Sequence, residues 1–191
     1  MIVNAYIMNE NPIRDYRMAC KVTQGICSDG TFIPKVEVNY WIKQIVTNHS
    51  TLRCIHFRFV ATAPKSVIMQ VIRATKGHPQ PEVQSSRPDW NGGKERSSDP
   101  YEEKLFMQDH TAESFIEMVK QRLCVRTEAR TRKFMNELVD ILKASEEPFL
   151  KAVGYCCKPQ CEWYGSRCPE LKGCGKCPSL AEEILKGVKN A

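Results

Sequence analysis

Long apolar runs are missing from this 191-residue sequence. No stretch approaches the ~20 residues that a membrane-spanning helix needs, so no membrane contact is expected. The first residues, 1–8, lack a basic leader and a long apolar stretch. No secretory signal is read there, and the expected compartment is the cytoplasm. No glycine-rich loop follows an apolar run, which leaves a Rossmann or P-loop phosphate site without support. No basic stripe with interleaved aromatics is present, so direct nucleic-acid binding is not expected. Internal repeats are also lacking. Charge is present in both signs, with 28 Lys and Arg against 22 Asp and Glu, for a modest net +6. That balance suits a solvated surface, and an anionic ligand needs only two or three well-placed Arg residues. With 42% hydrophobic and 26% charged residues the chain reads as globular.

Residues 2–8 alternate weakly and predict a first strand with Val3, Ala5 and Ile7 on one side. A turn-rich stretch follows to about Gly30. Residues 35–48 predict an amphipathic helix, with Val38, Trp41, Ile42 and Ile45 at helical spacing behind Pro34. Residues 53–61 alternate cleanly: Ile55, Phe57, Phe59 and Ala61 face one way, and Cys54, His56 and Arg58 the other. Thr62 and Pro64 then start a helix whose buried side carries Val67 and Val71. Residues 77–100 hold four Pro and three Gly and predict a long loop. From Asp109 to Ala144 the pattern is helical and divides into a pair, one helix with Phe115, Met118 and Val119, the other with Phe134, Leu138 and Leu142. Pro148 ends the run, and His110 is expected near a helix start. Ser179 and Glu182 open a short terminal helix through a capping box. The chain is expected to be α/β (α+β), a small mixed sheet with flanking helices and a long helical pair. It is divided into residues 1–153 and a cysteine-rich segment, 154–191.

Cysteine is the opposite of scarce. Of ten, six fall within 22 residues: Cys156, Cys157, Cys161, Cys168, Cys174 and Cys177. Without a secretion signal, such a cluster favours metal binding or free thiols over a disulfide framework. Cys161, Cys168, Cys174 and Cys177 are the best ligand set, because four thiolates close a tetrahedral Zn site and Cys-x2-Cys is knuckle spacing. An iron–sulfur cluster and a plain thiol-rich tail stay open beside it.

The segment Asn48-His49-Ser50-Thr51-Leu52-Arg53, the strand after it, and the helix carrying Gln70 and Arg73 together resemble flavin-dependent thymidylate synthases. In that family a His-x-Ser/Thr turn precedes a strand. The strand leads to a helix ending Gln-x-x-Arg-His-Arg, and a loop with Glu-x-Ser-x-Arg follows. Gln70 and Arg73 match the helix end, and Glu82, Ser85 and Arg87 match the loop with about two residues inserted. Arg122 and Arg132 fall at positions matching the family's paired helices. The resemblance spans roughly residues 15–155.

It implies a one-carbon transfer from methylene-tetrahydrofolate to C5 of dUMP, with reduced FAD as hydride donor and NADPH to recharge it. It also implies a homotetramer with active sites between subunits. The dUMP residues would be Gln70, Arg73, Glu82, Ser85, Ser86, Arg87 and Arg132, with Ser85 and Arg132 catalytic. The FAD residues would be His49, Thr51, Arg73, Thr75, His78 and Arg122. The sequence departs from the family at Arg73-Ala74-Thr75, which stands where the family has Arg-His-Arg. Glu113 also stands where the family has an Arg. Lys76 and His78 are candidates to replace the missing side chains. A related pyrimidine modification, and a flavin-less binding module of the same fold, are the alternative functions.

Overall fold

The computed structural model describes residues 3–25, 36–75, 81–90, 92–93, 97–170 and 173–189. In chain order its elements are β1 (Val3–Ile7), α1 (Pro12–Thr23), α2 (Val38–Val46), a 3₁₀ turn (Ser50–Cys54), β2 (Phe57–Pro64) and α3 (Lys65–Ala74). They continue with β3 (Glu82–Val83), β4 (Glu103–His110), α4 (Ala112–Arg122), α5 (Ala129–Ala144), α6 (Pro148–Cys156), α7 (Gln160–Trp163) and α8 (Leu180–Lys189).

The four strands form one sheet in the order β1-β2-β4-β3, antiparallel throughout, where a mixed sheet was expected. The alternation read in the sequence sets its faces. Phe57, Phe59 and Ala61 are fully buried, while Arg58, Val60 and Thr62 stay half-exposed. On the outer face Arg58 lies opposite Asp109 and grips its carboxylate in a fork of 2.5 and 2.7 Å. That guanidinium holds the Asp109 carboxyl below its ordinary range.

The helices pack on the inner face. Trp41 of α2 meets Phe149 of α6 edge to face at 5.1 Å and Tyr16 of α1 at 5.6 Å. Phe134, Met135, Leu138 and Leu142 bury one stripe of α5, and Phe115, Met118 and Val119 one stripe of α4. Thr111 and Ser114 close a capping box that starts α4 directly after β4.

Three elements depart from the sequence reading. The turn-rich stretch contains α1, which starts with the Asn11 side chain accepting from the Arg14 amide and with Pro12 in its first turn. β4 is absent from the sequence reading, in which Asp109 and His110 belong to the helical run, because its core-facing positions include Lys104, Gln108 and His110. Pro148 starts α6 rather than only ending α5, and Glu147 caps it. α6 also runs across the expected 153/154 boundary and buries Cys156.

Among the described residues, no helix is long and apolar enough to cross a membrane.

Candidate functional site

The last turn of α3 and the end of α4 approach one another at a polar cavity of about 520 Å³. Gln70 lines it from α3. Gln121, Arg122, Cys124, Arg126, Thr127 and Glu128 line it from the α4–α5 junction, and Glu170 from the C-terminal segment. Helical spacing places Arg73 one turn beyond Gln70 on the same side of α3.

Arg122 is the unusual residue here. Its Nε is buried and has no hydrogen-bond partner among the described residues. Burial, and second the nearby Arg73 charge, hold its guanidinium below the ordinary arginine range. A desolvated cation beside a second cation, facing a cavity, is satisfied by an anion. Its planar fork suits a phosphate or carboxylate.

The remaining residues expected at a site fall in several places. Arg132 sits on α5 and donates from Nη1 to the Val125 carbonyl at 2.7 Å, which fixes the α4–α5 junction. Thr75 caps α3 and is held inward: its hydroxyl donates to the Val71 carbonyl and accepts from Gln108 Nε2, each at 3.1 Å. The loop after β3 carries Ser85, Ser86 and Arg87. The Ser85 hydroxyl accepts from the Arg87 amide at 3.1 Å, and Arg87 forks to Asp89 and lies over Trp90. Glu82 belongs to β3, opposite Met107. None of these four loop and strand residues lines the arginine cavity. His78 and Lys76 lie outside the described residues.

His49 rims a second cavity of about 220 Å³, between the end of α2 and α4. Leu52, Arg53, Glu113, Ile116, Lys120 and Trp163 also line it. Here Arg53 pairs with Glu113 through contacts of 2.6 and 3.1 Å, so the carboxylate that stands in place of an arginine has its own local cation. Lys120 lies over the Trp163 ring at 4.4 Å. Thr51 points elsewhere, its hydroxyl accepting from the Cys20 thiol at 3.5 Å. The structure thus brings together Gln70, Arg73 and Arg122, and leaves His49 and the Ser85–Arg87 loop on other surfaces of the chain.

Gln121, Cys124, Arg126 and Thr127 escaped the sequence reading as lining residues. The only signal was the polar run that separates the two helices. Glu128 caps α5, its carboxylate accepting from the Arg130 and Thr131 amides. Cys161, Cys168, Cys174 and Cys177 all line a third cavity of about 140 Å³, together with Cys124. Among the described residues, no three His, Cys, Asp or Glu side chains stand ready as metal ligands.

No family model matches the sequence, and no curated protein matches it. Among solved structures the fold is similar to that of the flavin-dependent thymidylate synthase ThyX from Helicobacter pylori complexed with FAD and dUMP. The TM-score is 0.56 at 10% identity, over 81% of this chain and 100% of that one. A second structure of that enzyme with FAD and dUMP gives 0.57 at 10% identity, over 82% and 100%. At this identity the likeness is one of fold, and the chain carries a ThyX-like fold whose arginine cavity is built from its own residues.

Proposed function

We propose that this chain binds dUMP through the arginine cavity and is an FAD-dependent enzyme acting at C5 of that nucleotide, with thymidylate synthesis as its reaction. The observation that carries the reading is Arg122, a half-buried arginine whose buried Nε has no hydrogen-bond partner among the described residues, beside Arg73 and Gln70 on a ThyX-like fold. In this reading Arg122 and Arg73 hold the phosphate. Gln70 supplies a donor and an acceptor to the pyrimidine edge. Arg132 keeps the Val125 carbonyl, and with it the cavity wall, in place. Ser85, Ser86, Arg87 and Glu82 reach the nucleotide of a neighbouring subunit in a homotetramer, because within one chain they line another surface.

FAD, when bound and reduced, supplies hydride, with NADPH and methylene-tetrahydrofolate as co-substrates. The residues fit the nucleotide better than the flavin. His49 rims one cavity and Arg122 another, with α4 between them, so the flavin site also requires a second subunit in this reading.

The test is the absorbance of purified protein titrated with FAD, followed by tritium release from C5-labelled dUMP with folate and reductant present. Stoichiometric flavin binding and tritium release are expected. Protein that neither carries nor binds FAD sinks the enzymatic reading.

A second reading has its own observation. The positions of the missing His and Arg are used by the fold: Ala74 is buried and the Thr75 hydroxyl is hydrogen-bonded inward. A nucleotide-binding module without flavin follows from that. dUMP binding by calorimetry, together with a colourless protein that takes up no FAD, is its expected outcome.

A further inference from the structure

The C-terminal segment has little to hold it by hydrophobic means. α7 buries none of its residues, and Ile184, Leu185 and Val188 of α8 are 59–69% exposed. Its cysteines are nonetheless gathered. The Cys168 amide donates to the Pro178 carbonyl at 2.8 Å and the Leu180 amide to the Cys168 carbonyl at 2.9 Å, which brings Cys168 alongside the 177–180 stretch. Gly175, at φ +83°, turns the chain between Cys174 and Cys177, a conformation that other residues rarely adopt. Gly173 comes so close that a Cβ there would meet Cys168 Sγ at 3.2 Å. The four cysteines are free thiols around one cavity of about 140 Å³, and Lys176 lines it with them.

We infer that Cys161, Cys168, Cys174 and Cys177 bind one zinc ion as a tetrathiolate site that staples α7 to the stretch carrying Cys168, Cys174 and Cys177. Four thiols lose their protons to solvent, the ion loses its water ligands, and four Zn–S bonds of about 2.3 Å form. Zn²⁺ with four thiolates carries a net −2, of which the adjacent Lys176 ammonium offsets one charge, while Glu162 and Glu170 also line the cavity. The thiols do not yet converge on a point. The ion itself draws them in, as in small metal-folded segments whose binding free energy is also folding free energy. The cavity shares Cys124 and Glu170 with the arginine cavity, so the fastened segment also forms one wall of that site.

The experiment titrates Co²⁺ and then Zn²⁺ into reduced, chelator-treated full-length protein, and measures zinc by mass spectrometry after dialysis. Thiolate-to-cobalt charge-transfer bands, displaced by zinc, and one zinc per chain are expected. The Cys174→Ser/Cys177→Ser variant is expected to drop to a trace of zinc while keeping its helical circular dichroism. Cys124→Ser is expected to keep the full complement. The inference is overturned by absent cobalt–thiolate bands, by zinc that dialyses away from the wild-type chain, or by a Cys161–Cys177 disulfide that persists in protein purified with reductant. Iron with inorganic sulfide at this site overturns it as well. None of these readouts depends on nucleotide or flavin.

Discussion

His110 sits with its ring stacked on Phe59 at 5.7 Å and against the edge of Phe115 at 5.4 Å. Its Nδ1 meets the Ser114 hydroxyl at 3.1 Å, and its Nε2 has no partner among the described residues. Burial pushes its pKa down to about 3, against the opposing pull of Asp109. Between pH 6.5 and about 3 the unfolded chain therefore holds a proton that the folded chain lacks. Stability rises with pH across that window, and falling pH removes it by at most about 1.4 kcal/mol per unit. Urea midpoints at pH 7 and pH 4.5 are expected to differ less in His110→Leu than in the wild type; equal differences would contradict a neutral buried imidazole. Arg122 makes the opposite case, a half-buried cation whose Nε has no hydrogen-bond partner among the described residues. Arg122→Met is expected to weaken dUMP binding by roughly 10- to 150-fold, the equivalent of 1.5–3 kcal/mol for a charged hydrogen bond. Its thermal midpoint should hold or rise, because an unpaired desolvated charge is removed. A midpoint that falls together with the affinity would make Arg122 a structural residue.

At the scale of elements, the close packing of α5 on α6 depends on one glycine. A Cβ at Gly154 would lie 2.7 Å from the Lys143 amide nitrogen and 3.0 Å from the Leu142 carbonyl carbon. Both are backbone atoms, so the helices must separate. Gly154→Ala is expected to cost about 1–3 kcal/mol and lower the melting temperature by roughly 2–4 °C for each kcal/mol. Gly187→Ala on α8, where nothing lies within 4 Å, is the control and should leave that midpoint unchanged. Legibility also varied by element. α2, β2 and α3 were readable because each buries a clean apolar face. β4 was not, because Lys104, Gln108 and His110 occupy three of its four core-facing positions. Those polar groups are accommodated by Glu102, two residues away, for Lys104, and by distant segments for the others: Thr75 for Gln108 and the Phe59 ring for His110. α1 was not readable, because its apolar face is narrow, with Ile13 and Tyr16 its buried residues.

For the whole molecule, the question is where the packed body ends. α6 buries Phe149, Leu150, Val153 and Cys156, and Cys157 is buried just beyond it. A chain ending at Lys158 is expected to unfold cooperatively near the full-length midpoint, measured by circular dichroism in the absence of metal. A chain ending at Val153 loses the last turn of α6 and is expected to melt far lower or not to fold. If the Lys158 chain also fails, residues 159–189 belong to the core rather than to an appendage.

The sequence by itself determined the apolar periodicities of α2, β2, α3 and the α4–α5 pair, the cysteine spacing, and which cations are candidates for an anionic ligand. These are local properties: a period of two or near 3.6 follows from which face of a single element is buried. Only the tertiary structure decided which cations differ from the rest. Arg87 forks to Asp89 and Arg132 holds a carbonyl, whereas the buried Nε of Arg122 has no hydrogen-bond partner among the described residues. It likewise turned Thr75 inward and brought Cys124 to the thiols more than thirty residues away in sequence. The physical reason is that desolvation and pairing of a polar group depend on atoms supplied by distant segments, and no local pattern records them.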